Sequence, residues 1–411
     1  MNSILSPYRV LDLTDAKGFL CGKILGDLGA DVVKIEPPGG DPDRRIGPFY
    51  LDTPHPERSL YWFAYNINKR GITLNIATPD GKEIFMELAG KADFVLESFA
   101  PGYLTTLGLD YTQLSELNSR VIVTSITPFG QTGPYKDYKS SDLVASATGG
   151  LVYICGDTDR PPVRISAEQA YLQAGVHAAG SSLIAHYYRE STGQGQHVDV
   201  SVQEATVWTT MYTVPYWSTA KRLFPRSGNL QTRYESTYRL VFPCKDGYVS
   251  VRAYTGFAFG AWQAKLVEAM ESEGAAADLT NVDWTSLSFE GQTQEQIDHW
   301  EKVMLDYFMS HTKAELYEKA RQYEFSLFPS NTPQDIAEYE HLEERRFWVE
   351  IEHPELGQTL RYPGPIFKAE PSPDGIMLRA PLIGEHNEEI YVNELGLSRL
   401  DLVRLRQANV I

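Results

Sequence analysis

Residues 9–36, RVLDLTDAKGFLCGKILGDLGADVVKIE, decide the fold class. Arg9-Val10-Leu11-Asp12-Leu13 is an apolar run of strand length, Phe19 to Leu28 carries helical spacing, and Asp31-Val32-Val33-Lys34-Ile35-Glu36 is a second strand-like run. A strand, a helix and a strand in one short stretch make a crossover unit, which lays its two strands parallel. Gly18, Gly22, Gly26 and Gly29 recur about one helical turn apart. A dinucleotide-binding turn would need G-x-G-x-x-G directly after the strand. This spacing instead suits a helix that approaches its neighbours closely.

The alternation continues outward. Ile72 to Ile76 reads as a strand, and Thr78-Pro79-Asp80-Gly81-Lys82-Glu83 opens a helix with a threonine cap and a proline at its first position. Phe94-Val95-Leu96-Glu97 is a strand, Tyr111 to Leu117 a helix, and Val121 to Ile126 another strand. Strands separated by helices predict a mostly parallel α/β sheet. Ala167 to Thr192 reads as one long helix, followed by the strand-like His197-Val198-Asp199-Val200-Ser201. Past Phe224 the texture changes to loop, short strand and amphipathic helices (Trp262 to Glu271, Glu295 to Phe308, Thr312 to Tyr323). These patterns divide the chain into a large α/β domain over 1–224, a smaller α+β domain over 225–330, and a return segment over 331–411 that docks on the first.

Composition excludes several classes of function. Lys and Arg total 37 against 54 Asp and Glu, a formal charge of −17. No excess of cations is available to displace phosphate counterions, so no nucleic-acid partner is expected. Cys21, Cys155 and Cys244 are widely spaced and odd in number, offering neither a metal motif nor a disulfide framework. The first seven residues lack a basic region followed by an apolar run, and no stretch has the length of a membrane span. The expectation is a cytoplasmic protein without a membrane partner.

Several segments carry a resemblance. They are Val10 to Thr14, Leu28 to Glu36, Asn68-Lys69-Arg70-Gly71-Ile72-Thr73-Leu74-Asn75, Ala92 to Phe99 with Pro101-Gly102, and Phe129-Gly130-Gln131-Thr132-Gly133-Pro134-Tyr135. Arg189, Thr192 to Gln196, Val198 to Ser201 and Pro381-Leu382-Ile383-Gly384-Glu385-His386 continue the series. In order and spacing the chain resembles the class III CoA-transferases of the formyl-CoA transferase type. The resemblance implies a Rossmann-like large domain built from both chain ends, a smaller middle domain, and an interlocked dimer. It also implies acyl-CoA as a substrate, with no covalently bound cofactor. The CoA-binding positions it implies are Ala16, Lys17, Leu74, Asn75, Ser98, Phe99, Ala100 and Lys139.

In this family the carboxylate of an aspartate near the start of the long helix attacks the acyl-CoA thioester to form a mixed anhydride and release CoA thiolate, which returns to give an aspartyl-CoA thioester. The matching stretch here is Ala170-Tyr171-Leu172-Gln173-Ala174-Gly175, with Tyr171 in the aspartate's place. A phenol offers no acyl carbon, so Tyr171 serves as packing or as a hydrogen-bonding group. Glu168 is the nearest carboxylate; it reads as a solvated first-turn acid, with a substitute nucleophile as the alternative. Pro37 and Thr106 stand where the family keeps basic CoA contacts. Ser227-Gly228-Asn229 is the nearest counterpart of its glycine-rich shielding loop. The racemase branch resembles this chain at Ser140-Ser141-Asp142 but needs a histidine at Ser141 and the missing aspartate. His177 and His186, nine residues apart on the long helix, do not face one site.

The leading expectation is therefore a subunit of a heteromeric CoA-transferase whose homologous partner carries the aspartate. The resemblance implies succinyl-CoA as donor and an aromatic dicarboxylate such as benzylsuccinate, from anaerobic aromatic degradation, as acceptor. The alternatives are a self-sufficient homodimer using Glu168 and a CoA-ester-binding protein without turnover.

Overall fold

The computed structural model describes residues 3–251, 259–288, 290–365, 367–368 and 377–411. The chain divides into two compact units, Met1–Tyr153 with Arg164–Leu223 and Leu342–Ile411, and Ile154–Val163 with Phe224–His341.

The first unit is built on six parallel strands: β1 (Arg9–Leu13), β2 (Asp31–Glu36), β3 (Lys69–Thr73), β4 (Phe94–Glu97), β5 (Ile122–Thr127) and β6 (His197–Ser201). Their order is β3-β2-β1-β4-β5-β6, so the direction of winding reverses between β1 and β4. Its helices are α1 (Phe19–Asp27), α2 (Leu60–Asn66), α3 (Pro79–Gly90), α4 (Tyr103–Leu107), α5 (Tyr111–Leu117), α6 (Asp142–Thr148), α7 (Leu151–Ile154), α8 (Gln169–Thr192), α9 (Val202–Trp208) and α10 (Thr213–Ala220). Alternate strand residues feed two cores. Leu11, Val33, Ile72 and Val95 share one with Phe85 and Leu88 of α3 and Leu114 of α5. Val10, Val32, Phe94 and Leu96 share the other with Cys21, Ile24 and Leu25 of α1 and the alanines of α8.

The glycine spacing of α1 has the expected use. A Cβ on Gly22 would lie 2.2 Å from Asp12 Oδ2, and one on Gly26 2.7 Å from the Asn68 carbonyl. On α8, a Cβ at Gly175 would stand 2.9 Å from Leu20 Cβ.

The second unit contains β7 (Leu230–Arg233), β8 (Ser236–Arg239), β9 (Val241–Cys244), β10 (Gly247–Val251), α11 (Gly260–Glu271), α12 (Gln294–Met309), α13 (Lys313–Tyr323), β11 (Leu327–Pro329) and α14 (Pro333–Ala337). Its strands pair antiparallel, as a β7–β8 hairpin and a β11-β10-β9 sheet. Capping boxes at Thr293 and Thr312 start α12 and α13.

The chain passes through α15 (Glu340–Glu344) into the β12 (Trp348–His353) and β13 (Gln358–Pro363) hairpin and a closing helix, α16 (Arg399–Gln407). This segment covers the open edge of β3. The His386 N–H donates to the Gly71 carbonyl at 2.9 Å, the Thr73 N–H donates to Asn387 Oδ1 at 2.9 Å, and the Asn75 N–H donates to the Val410 carbonyl at 2.7 Å. An edge strand left bare would offer these groups to another chain. The same bonds place β3 earlier than its apolar run predicts. Leu74 still donates to the Glu36 carbonyl, but Asn75 turns away to the C-terminus. Among the described residues no helix is long and apolar enough to cross a membrane.

Candidate functional site

A strand buried on both faces is normally apolar throughout. Here the carboxyl ends carry Asp12, Lys34, Glu36, Thr73, Glu97, Ser125 and Thr127, all buried. The charges of Asp12, Lys34 and Glu36 are matched. Lys69 Nζ donates to Asp12 Oδ2 at 2.8 Å and to Asn66 Oδ1 at 2.9 Å; Lys34 donates to the Thr14 carbonyl and stands 3.8 Å from Asp12 and Asp41. Arg44 Nε donates to Glu36 Oε2 at 2.6 Å, and its Nη2 donates to Glu36 Oε1 and to the Pro381 carbonyl, both at 2.8 Å. Its Nη1 donates to Glu57 at 2.8 Å, and the guanidinium lies 3.8 Å over the Trp62 ring. This clamp fixes the loop after β2 to the strand's end and to the return segment.

The loop forms one wall of a pocket of about 310 Å³, whose lining includes Leu13, Asp15, Glu36, Pro37, Asp41, Asp43, Leu74, Asn75, Ser98, Phe99 and Tyr103. It opens at the carboxyl ends of β1 to β4, where the winding reverses, the place at which open parallel sheets hold ligands. Four of the predicted CoA positions, Leu74, Asn75, Ser98 and Phe99, come together here, with Pro37 beside them. Ala16 and Lys17 border it: the Ala16 N–H donates to Asp43 at 2.7 Å, and Lys17 pairs with Asp15. Ala100 lines a neighbouring cavity instead, Lys139 sits in an exposed loop, and Thr106 is exposed on α4. Among the described lining residues there is no lysine or arginine, while Asp15, Glu36, Asp41 and Asp43 supply four carboxylates. Arg44 neutralises Glu36 and Lys17 neutralises Asp15. Burial pushes the Asp41 carboxyl up to about 6 against the pull of Lys34.

The helix that carries Tyr171 starts two residues later than its pattern predicts. Glu168 takes the N-cap position with ψ of 69°, makes no capping bond, and accepts a hydrogen bond from the Tyr61 hydroxyl at 2.6 Å. It is thus a half-buried, partnered carboxylate ahead of the helix rather than a solvated acid of its first turn. Asp142, at the head of α6, accepts from the Tyr171 N–H at 3.1 Å. The Tyr171 phenol is half-buried, and its ionisation is pushed far up, by burial first and then by Asp15, Asp142, Glu168 and Asp43. At neutral pH it is a neutral hydroxyl among carboxylates.

Other predicted residues lie elsewhere. His177 packs near Trp208, with ring centroids 5.9 Å apart, and His186 contacts Tyr8 and Arg189. Ser227-Gly228-Asn229 belongs to the second unit. Among the described residues no cluster of His, Cys, Asp or Glu is arranged to hold a metal. Asp15, Asp41, Asp43, Tyr61 and Asp142 were missed from sequence because segments far apart in the chain bring them together. One signal was available: the charged run Asp41-Pro42-Asp43-Arg44 opens with only four residues between it and the end of a parallel strand at Glu36.

The chain matches the profile of CoA-transferase family III over residues 5–387. It is 34% identical over 413 residues to the succinyl-CoA:(R)-benzylsuccinate CoA-transferase subunit BbsE of Thauera aromatica, covering 100% of this chain and 99% of that one. To the succinyl-CoA–L-malate CoA-transferase beta subunit of Chloroflexus aurantiacus it is 32% identical over 413 residues, covering 99% and 98%. The fold matches the crystal structure of a CAIB/BAIF family protein from Brucella suis with a TM-score of 0.80 at 24% identity, over 96% of this chain and 100% of that one. With a parallel sheet of this order, a pocket at its point of reversal and likeness over its whole length, the chain belongs to CoA-transferase family III, whose members take acyl-CoA as substrate.

Proposed function

We propose that this chain is the non-catalytic subunit of a heteromeric, cytoplasmic CoA-transferase, with the nucleophilic aspartate on a homologous partner. The observation that carries the reading is Tyr171 in the first turn of α8, where attack on a thioester requires a carboxylate. An aryl hydroxyl could form an ester but could never carry CoA as an acyl thioester. The two relatives above are themselves subunits by name, and both names carry succinyl-CoA, which supports that donor here. A dicarboxylate of the benzylsuccinate kind is the acceptor we assign. Exposed apolar side chains support a second chain. Ile184 and Tyr187 of α8 are 72% and 81% exposed, and Trp208, Met211, Val214 and Trp217 are exposed nearby in sequence on and between α9 and α10. We read this surface as the seat of the partner in an interlocked dimer, and the pocket at the sheet reversal as the CoA pocket. Ala16, Lys17, Leu74, Asn75, Ser98, Phe99 and Ala100 would surround the nucleotide, and Lys139 would approach it once the dimer forms.

The test is CoA exchange from succinyl-CoA to benzylsuccinate. The purified chain alone should give none, and co-expression with an aspartate-bearing homologue should restore it. A second reading has one observation in its favour: Tyr61 holds the Glu168 carboxylate close enough to influence the Tyr171 phenol. Exchange by the chain alone that disappears in Glu168→Ala would establish that reading and overturn the heteromer.

A further inference from the structure

Glu97 ends β4, beside the reversal of the sheet, and is 4% exposed. A second cavity of about 240 Å³ meets its side chain, bordered also by Ala100, Tyr111, Ser125, Gln131 and His197. Glu97 Oε2 accepts the Phe99 N–H at 2.8 Å. The Ser125 hydroxyl, on β5 beside the same carboxylate, favours its charged form and stands 2.9 Å from His197 Nε2 on β6. Lys17 and Asp15 face Glu97 from the turn after β1, and Asp110 borders the cavity ahead of α5. Gln131 Nε2, buried beside the cavity, has no hydrogen-bond partner among the described residues. The turn that Glu97 holds is itself part of the first pocket. The Ser98 hydroxyl donates to Asp15 Oδ1 and accepts from the Asp15 N–H, both at 2.9 Å, so Ser98 and Phe99 join the loop after β1 to the end of β4.

We propose that Glu97 is a positioning residue: its buried carboxylate, by accepting the Phe99 N–H, fixes the Ser98–Phe99 turn in the shape that meets acyl-CoA. The proposal rests on reading the first pocket as the CoA pocket. Side-chain packing gives no reason for a carboxylate at a position where Val95, two residues earlier on the same face, is purely apolar. Burial pushes the Glu97 carboxyl up to about 7, so the charge that strengthens the Phe99 bond is present above neutrality and fades below it.

The experiment compares wild type with Glu97→Gln, each co-purified with its partner. Amide hydrogen exchange is followed over residues 97–103, and succinyl-CoA titrations are run at pH 6 and pH 8. At pH 8 the Phe99 amide should exchange about tenfold faster in the variant, and succinyl-CoA should bind about tenfold more weakly, as expected for loss of one charge-assisted bond. At pH 6 the two proteins should converge; Asp41 titrates in both, so the ratio of their affinities isolates Glu97. Equal exchange at residue 99 overturns the proposal, as does equal affinity at pH 8 or a ratio that ignores pH. Wild type that binds no acyl-CoA would instead overturn the CoA reading of the pocket, and this role with it.

Discussion

Arg44→Met tests whether the pocket wall depends on the buried clamp. The side chain is 1% exposed and makes four charge-assisted bonds, two to Glu36, one to Glu57 and one to the Pro381 carbonyl. Methionine preserves much of the apolar stem but removes the guanidinium over Trp62 and leaves the Glu36 carboxylate buried without its cation. Breaking a buried pair from one side costs roughly 3–5 kcal/mol. For a unit of roughly 280 residues, unfolding entropy at about 2.1 cal/mol/K per residue gives about 0.6 kcal/mol per degree, so the melting midpoint should fall by about 5–8 °C. Scanning calorimetry of the intact chain reads this directly. Replacing Glu36 with Gln in the same chain removes the stranded charge and should recover about half of the loss. A fall of less than about 2 °C, or a double variant no better than the single, would refute the reasoning that the pair is held by mutual need.

Other perturbations probe the same edge. In Gly22→Ala the new methyl carbon meets Asp12 Oδ2 at 2.2 Å and Lys69 Nζ at 3.0 Å, so urea denaturation should show a loss of about 1–3 kcal/mol or failure to fold; unchanged stability would mean that α1 can lift off the sheet freely. For Glu97, the folded carboxyl titrates near 7 against an ordinary 4.5, so folding takes up a proton between those values and stability falls as pH rises through the window. Glu97→Gln should therefore be more stable than wild type by on the order of 3 kcal/mol at pH 8, shrinking to nothing near pH 4.5, in paired urea titrations. Tyr171→Phe keeps the ring and removes only the hydroxyl, so exchange by the paired enzyme should stay within about twofold; a hundredfold loss would give the phenol a chemical role that packing cannot explain.

The crossover 9–36 was legible because a parallel strand is buried on both faces and shows as a mostly apolar run on either side of a helical spacing, even where Asp12 and Lys34 interrupt it. The closely spaced glycines of α1 were legible for a similar reason: only a side chain as small as hydrogen lets a helix sit on Asp12 and Asn68. The end of β3 was not, because the partner of Asn75 is Val410, at the far end of the chain, and no local pattern carries that bond. The helix start at Gln169 was obscured because Glu168 favours helix intrinsically, yet here it is turned out to meet Tyr61. Tyr171 could be placed by its neighbours in sequence. Its surroundings could not, since Asp15, Asp43, Asp142 and Glu168 come from four different loops and helix starts.

On the proposed heteromer, these buried charges bear on whether the chain only supports its partner or also binds substrate. An ion pair in a core contributes little to stability, and apolar replacement is often neutral or favourable. A subunit kept solely for its fold could therefore be built with an apolar carboxyl edge, yet Asp12, Lys34, Glu36 and Glu97 are buried there, with the buried Lys69 and Arg44 reaching in to Asp12 and Glu36. Arg44 and Glu97 in particular fix the two turns that face the pocket, the second at a cost that rises with pH. Sites that hold ligands commonly sacrifice stability in this way. If Glu97→Gln stabilises the chain while loosening the Ser98–Phe99 turn, the proposed heteromer divides its labour so that this chain still holds acyl-CoA. If it stabilises the chain and leaves the turn and the ligand unaffected, the polar edge is a remnant, and the partner binds substrate alone.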